Sequence, residues 1–242
     1  MKYLSFVFLI VAVTWLSGCS LDESTAVTKK KDAAELALDK LPAEKKPTAP
    51  PESAPTPQSS PQPNPKAMSK QYPSAPAIQI DANKKYTATL HTDKGDIVVE
   101  LDVKNMPKTV DNFVFLAKDH FYDNTIFHRT MKGFMIQGGD PEGTGVGGPG
   151  YNVNETPKVG TTYTRGTIAM AKTGADPAGT SGSQFFIMHS DNPLPPDYAT
   201  FGHVTSGLDV VDMIATAPTQ PGGEGSTPVT PVVVKSVDIL EK

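Results

Sequence analysis

The stretch FHRTMKGFMIQGGDP at residues 127–141, read together with GSQFF at residues 182–186, is the most informative part of this chain. A lone arginine, Arg129, precedes an apolar Phe-Met pair, and Gln137 and Gln184 add two amides. One cation and two amides beside apolar side chains, without a nucleophile or a cluster of metal ligands, suit a reaction that makes and breaks no covalent bond. Rotation about an X-Pro amide is such a reaction.

The twisted state of an X-Pro amide sets the requirements for such a site. The barrier to rotation is about 18–20 kcal/mol because conjugation between nitrogen and carbonyl is lost at the twist. A catalyst lowers it by binding the twisted state more tightly than either planar form. At the twist the prolyl nitrogen regains a lone pair, so a fixed charged donor is selectively useful. Arg129 is the candidate donor, although a surface salt bridge is the commoner fate of a single arginine.

Together the two stretches resemble the signature of the cyclophilin family of peptidyl-prolyl isomerases, and the resemblance covers essentially all of residues 86–242. It implies a catalytic role for Arg129, Gln137 and Gln184. The resemblance further implies a set of substrate-binding residues, namely His128, Phe134, Met135, Ala171, Lys172, Phe186, Leu194 and Tyr198. Gln137 and Gln184 are expected to position Arg129 and the substrate backbone, and the main chain at Lys172 to meet the peptide.

This chain departs from the family pattern at a few positions. Pro193 stands where eukaryotic members often have tryptophan, so cyclosporin binding is expected to be weak. Tyr198 replaces a pocket histidine and keeps a ring with a polar tip. Lys172 and Thr173 replace an Asn-Ala pair, and residues 173–180 form a loop about three residues longer than usual, which is expected to alter the residues accepted beside proline.

The N-terminus is typical of an exported lipoprotein. Lys2 precedes an apolar run at residues 4–16, which is too short to span a bilayer as a helix but suits a signal-peptide core. The run leads into Leu-Ser-Gly-Cys, which resembles a bacterial lipobox and predicts cleavage after residue 18 and acylation of Cys19. Because Cys19 is the only cysteine, no intrachain disulfide is possible.

Residues 19–81 are predicted to form a disordered tether. Residues 20–81 hold eleven prolines among small and polar residues, a composition that buries too little apolar surface to offset the entropy of ordering. The tether would let a globular domain at residues 82–242 work away from its membrane. Ser20 follows the cysteine without the aspartate associated with inner-membrane retention, so an outer membrane or cell surface is favoured.

The remaining sequence predicts a mainly β domain. Glycine-bounded β-prone runs alternate with two amphipathic segments, which favours a closed eight-stranded antiparallel barrel capped by two helices, as in the family. The predicted helices are residues 105–120 and 208–215. The predicted strands are residues 86–92, 96–102, 126–129, 134–138, 166–171, 184–189, 199–204 and 232–240.

Charge and motif spacing exclude several other functions. Residues 86–242 carry 11 basic and 18 acidic side chains, so the domain is acidic and offers no basic stripe for nucleic acid. The five histidines lack metal-ligand spacing, so neither a metal nor a cofactor is expected. The expected protein is a monomeric isomerase that acts on proline-containing segments of exported proteins. The alternative is a non-catalytic module of the same fold that binds proline segments or acts as a chaperone.

Overall fold

The structure is a computed structural model that describes residues 70–158, 160–222 and 224–242. The predicted signal peptide, Cys19 and the tether up to residue 69 lie outside the described residues. The elements in chain order are β1 (Tyr86–Thr92), β2 (Gly95–Leu101), α1 (Pro107–Lys118), β3 (Thr125–Ile126), β4 (Arg129–Met131), β5 (Met135–Gly138), β6 (Val153–Asn154), β7 (Thr167–Met170), β8 (Thr180–Ser181), β9 (Phe185–Met188), β10 (Thr200–Ser206), α2 (Leu208–Ala215) and β11 (Val233–Glu241).

Nine of these strands form one curled antiparallel sheet in the order β3-β11-β1-β2-β10-β7-β9-β5-β4, and β6 pairs with β8 separately. The first long strand pairs with the last, with Tyr86 opposite Glu241. The predicted mainly β class with two helices is confirmed, while closure of the barrel stays a prediction. The predicted strand at residues 126–129 is divided between β3 and β4, and the two short strands β6 and β8 were not predicted.

Alternation along three neighbouring strands separates the core from the outer face of the sheet. Ile136, Ile168 and Ile187 lie opposite one another on β5, β7 and β9 and are fully buried in the main core. Their chain neighbours Gln137 and Phe186 therefore lie on the other face, because successive side chains of a strand point to opposite sides. This outer face carries most of the predicted site residues.

Helix α1 packs against the core and is stabilised from a distant loop. Its Phe113 ring lies 5.1 Å from that of Phe201 and 5.9 Å from that of Phe185, which directly follows Gln184 in the chain. The N-cap residue makes no side-chain cap bond, but the Glu155 carboxylate accepts hydrogen bonds from the first-turn amides of the helix. Negative charge at this end also suits the helix dipole. Among the described residues, no helix is both long and apolar enough to cross a membrane.

Residues 70–80, here called the N-terminal strap, pack on the domain instead of belonging to the disordered tether. The predicted boundary at residue 82 stays a prediction, and contacts with the domain are present from residue 70 onward. Tyr72 and Ile80 pack on the main core, and the amide of Ile80 donates to Asp111 Oδ1 at 3.0 Å. The Tyr72 hydroxyl donates to Asp119 Oδ2 at 2.6 Å. The composition of residues 20–81 as a whole concealed these few large apolar residues near its end.

Candidate active site

The register of the sheet brings four site positions into one row on its outer face. Arg129 on β4 lies opposite Gln137 on β5, and Gln137 lies opposite Phe186 on β9. Phe186 in turn lies opposite Ala169 on β7. Residues far apart in the chain are therefore fixed side by side by backbone pairing, with a cation and an amide at one end and apolar side chains at the other.

A chain of hydrogen bonds orients the predicted catalytic side chains. Arg129 Nη1 donates to Gln137 Oε1 at 3.3 Å, and Gln137 Nε2 donates to Gln184 Oε1 at 3.0 Å. Gln184 Nε2 donates to the carbonyl of Gly147 at 2.9 Å. The three side chains predicted to be catalytic are thus adjacent, and the loop at residues 140–150 holds the last of them.

Glu224 is a second partner of Arg129 that the sequence did not reveal. Its Oε2 accepts from Arg129 Nε at 3.0 Å and lies 2.9 Å from Nη2. Nε and Nη2 thus face Glu224 while Nη1 faces Gln137, which holds the guanidinium plane in one orientation. The Arg129 side chain is about one-third exposed (32%), so it remains accessible to a peptide.

A cluster of apolar side chains, here called the apolar pocket, lies beside this polar row. Its buried members are Met135, Tyr163, Ala169, Phe186 and Met188, and the partly buried Met131, Phe134, Ala171, Leu194 and Tyr198 pack against them. The Tyr198 ring meets the Phe186 ring edge-on, with centroids 5.4 Å apart. Six predicted substrate-binding residues, namely Phe134, Met135, Ala171, Phe186, Leu194 and Tyr198, are therefore brought together here.

Tyr163 and Met188 also belong to this apolar cluster, and the sequence analysis does not predict them. The Tyr163 hydroxyl donates to the carbonyl of Tyr198 at 3.0 Å and accepts from the Tyr198 amide at 3.1 Å, which fixes that residue in place. Met188 could have been found, because it lies two positions after Phe186 on the same strand face. Tyr163 lies in a loop, where no periodicity signals its position.

Ala171 and Lys172 lie between the apolar pocket and a neighbouring polar cavity. The amide of Ala171 donates to the carbonyl of Gln184 at 2.8 Å, which extends the strand pairing past β7. The Lys172 ammonium donates to the carbonyl of Asp176 at 3.1 Å and lies 5.5 Å from the centroid of the Tyr198 ring. The lysine side chain is therefore held by the loop that the sequence predicts to be longer than usual.

His128 lies against the loop at residues 140–150. Its ring lies beside Gly145, in the loop that follows Asp140. Burial lowers the pKa of His128, and this effect together with nearby Arg129 outweighs the opposing influence of Asp140. The neutral imidazole is thus favoured. The structure places the His128 ring next to the loop that supports Gln184.

Asp140 organises that loop and was also not predicted. The carboxylate is fully buried and accepts amide hydrogen bonds from Glu142, Thr144, Gly145 and Gly147 at 2.6–3.2 Å. Burial on its own would raise the pKa of Asp140, but the amide bonds outweigh it and the pKa is lowered. A Cβ on Gly147 would lie 2.0 Å from Asp140 Oδ1, so only glycine fits there.

Within residues 70–158, 160–222 and 224–242, no group of three or more His, Cys, Asp or Glu side chains is arranged to hold a metal ion. The described side chains at the site provide a fixed guanidinium, two linked amides and an apolar pocket.

The chain is similar to known proteins in sequence. The profile of the family described as "Cyclophilin type peptidyl-prolyl cis-trans isomerase/CLD" matches residues 87–239. The chain is 47% identical over 131 residues to a peptidyl-prolyl cis-trans isomerase of Helicobacter pylori, covering 52% of this chain and 78% of that protein. It is 43% identical to the probable peptidyl-prolyl cis-trans isomerase A of Mycobacterium leprae over 172 residues, covering 63% and 91%.

The fold is also similar to solved structures. A crystal structure of a cyclophilin-type peptidyl-prolyl cis-trans isomerase of Cryptosporidium parvum superposes with a TM-score of 0.60 at 34% identity, covering 65% of this chain and 99% of that one. A second structure of the same protein, obtained in the presence of the dipeptide Ala-Pro, superposes with a TM-score of 0.59.

Proposed function

This chain belongs to the cyclophilin family and is a peptidyl-prolyl cis-trans isomerase, and we propose that Arg129 supplies the donor that stabilises the twisted X-Pro amide. The observation that carries the proposal is the row of Arg129, Gln137 and Phe186 across three strands, next to an apolar pocket. In this arrangement the donor and the pocket are fixed relative to each other before substrate binds.

Arg129 meets the electrostatic requirement of the reaction. The guanidinium is always charged, and Gln137 and Glu224 engage Nε, Nη1 and Nη2 in ways that leave one N–H on each terminal nitrogen for a substrate. A donor that is already oriented costs no reorganisation when the prolyl nitrogen regains its lone pair. The planar amide offers that nitrogen no comparable lone pair, so the interaction favours the twisted state.

The apolar pocket meets the second requirement, which is to grip the proline ring. Phe134, Leu194 and Tyr198 are partly exposed and pack around the buried Phe186, so they offer apolar surface for the ring. Apolar walls exclude water and strengthen the hydrogen bond to the twisted nitrogen. With the proline ring held in the pocket, the other side of the X-Pro bond remains free to rotate.

Replacing Gln137 with leucine tests the positioning part of this mechanism. The substitution removes the acceptor for Arg129 and the donor to Gln184, while keeping a side chain of similar size. A hydrogen bond to a charged group contributes about 1.5–3 kcal/mol, so kcat/KM is expected to fall by about one to two powers of ten. The rate is measured with a protease-coupled assay on an Ala-Pro peptide.

The matched control is Lys132→Ala, which changes an exposed residue in the turn between β4 and β5. It is expected to keep the wild-type rate. If Gln137→Leu also kept that rate, the amide would have no role in orienting Arg129.

We further propose that the protein is a lipoprotein that acts outside the cytoplasm on proline-containing segments of exported proteins, as a monomer. The support is in the sequence: an apolar core at residues 4–16, a lipobox that ends at Cys19, and a proline-rich spacer after it. Ser20 favours an outer membrane or the cell surface. Pro193 stands where eukaryotic members often have tryptophan, which supports weak cyclosporin binding.

Cys19→Ala is expected to abolish lipid attachment and leave an uncleaved precursor. The variant has no thiol to acylate, so labelled palmitate should be absent from it and present on the wild type. Ser24→Ala, which lies in the tether, serves as the control and should keep the label. Palmitate on the Cys19→Ala protein would contradict the proposed anchor.

A further inference from the structure

The N-terminal strap contacts the loop that supports the isomerase site, although it lies outside the residues 87–239 that match the family. Gln71 Nε2 donates to the carbonyl of Gly148 at 2.8 Å, and the amide of Tyr72 donates to the carbonyl of Pro149 at 2.9 Å. Gly150 has a φ of +91°, and a Cβ there would lie 2.6 Å from Gln71 Oε1. The strap thus packs closely on residues 148–150.

The same loop connects the strap to the catalytic hydrogen-bond chain. The carbonyl of Gly147 accepts from Gln184, and the next carbonyl along the chain, that of Gly148, accepts from Gln71. Gln184 and Gln71 therefore hold adjacent peptide units of one glycine-rich segment. The position of Gln71 is consequently coupled to the side chains that orient Arg129.

Gln71 also lines a cavity next to the apolar pocket. The cavity has a volume of about 720 Å³, and its walls include Gln137, Ala171, Lys172 and Gln184. Ala171 packs against the apolar pocket as well, so this residue belongs both to the cavity wall and to the border of the apolar cluster. A peptide whose proline occupies the apolar pocket would extend past Ala171 and place a neighbouring side chain in this cavity.

We propose that Gln71 is a specificity-determining residue of this isomerase and that it selects the side chain beside the X-Pro bond. The inference rests on the proposed site, because it requires the proline to bind in the pocket around Phe186. The carboxamide of Gln71 makes an exposed hydrogen bond to Gly148, and the lining of the cavity also contains Lys172 and Asp176. Such a lining favours flanking side chains that form hydrogen bonds over purely apolar ones.

The strap is held in place independently of Gln71. Tyr72 packs edge-on against Phe115, with ring centroids 5.3 Å apart, and Lys70 pairs with Asp119 at 3.0 Å. At its other end, the amides of Gln79 and Ile80 donate to Asp111 Oδ1. Removing the Gln71 carboxamide therefore changes the cavity wall without releasing the strap.

The experiment compares Gln71→Ala with the wild-type protein on peptides in which the residues before and after proline are varied among Ala, Leu, Gln, Lys and Glu. Loss of a neutral hydrogen-bond partner is expected to change the ratio of kcat/KM for polar over apolar flanking residues by about three- to tenfold. The melting temperature should stay at the wild-type value. Gln79→Ala is the matched control, because it removes the same side chain from the strap away from the cavity.

A purely structural role would change all peptides equally, and that uniform result would overturn the inference, as would an unchanged pattern of rates. Tyr72→Ala provides a second variant that loosens the strap, and it should change the same ratio together with the melting temperature. Arg129→Ala separates the two proposals. If the wild-type rates do not depend on Arg129, the proposed site is wrong; if they do while Gln71→Ala keeps the wild-type preference, only the present inference fails.

Discussion

Arg129→Ala is expected to lower kcat/KM by a factor of about 10²–10³, because one oriented transition-state donor contributes roughly 2.7–4 kcal/mol. The domain should stay folded, since the Arg129 side chain is partly exposed and its ion pair with Glu224 lies at the surface. Surface pairs contribute about 0–1 kcal/mol to stability. Isomerisation of an Ala-Pro peptide and thermal unfolding are measured on the same preparation.

Lys84→Ala is the matched control for this variant. Lys84 is also a partly exposed cation paired with a carboxylate, Glu241, at 2.6 Å, but it lies just before β1 and outside the site. It is expected to keep the wild-type rate. A folded Arg129→Ala protein that retained more than roughly a third of the wild-type kcat/KM would show that Arg129 is not the donor.

Asp140→Ala is expected to destabilise the protein by about 3–5 kcal/mol and to reduce kcat/KM by about tenfold or more. The loss of stability arises because the variant leaves the amides of Glu142, Thr144, Gly145 and Gly147 without their shared acceptor. The loss of activity arises because the released loop no longer presents the Gly147 carbonyl to Gln184. Denaturant unfolding and the peptide assay measure the two effects.

Asp140→Asn separates charge from shape in this loop. It keeps one acceptor oxygen and should fall between the wild type and Asp140→Ala in stability. The folded pKa of Asp140 is lowered, so its contribution to stability is fully present above the usual aspartate pKa of about 3.9 and is lost as the pH falls through the lower folded value. Equal unfolding free energies for all three proteins would contradict the role assigned to this carboxylate.

Much of the fold could be predicted from local pattern. The prediction of α2 at residues 208–215 agrees with the structure in both bounds, and α1 is shorter by two residues at each end. It ends near His120, whose φ of +59° takes the chain out of the helix, and a positive φ at histidine leaves no signal in hydrophobic periodicity. The closeness of Phe134, Met135 and Phe186 could be anticipated because their two short stretches match a family pattern.

The supporting residues could not be predicted, because their partners are distant in the chain. Glu224 lies 95 residues from Arg129, and its contact depends on how a loop returns to β4. Asp140 is an ordinary turn aspartate until its amide partners are seen. The strap was not predicted because Tyr72 and Ile80 stand in a proline-rich stretch and their partners are more than 30 residues away, at helix α1.

The pairing of the first long strand with the last has a kinetic consequence. One side of β1 pairs with β2, which is the next strand in the chain. The other side pairs with β11, in which Glu241 lies opposite Tyr86. The first-turn amides of helix α1 likewise depend on Glu155, which comes later in the chain. Contacts of such long sequence separation slow folding, because the chain loses loop entropy before it gains the contact. During synthesis from the N-terminus, the core therefore cannot be completed until β11 has emerged, and the domain is expected to fold late and in one cooperative step.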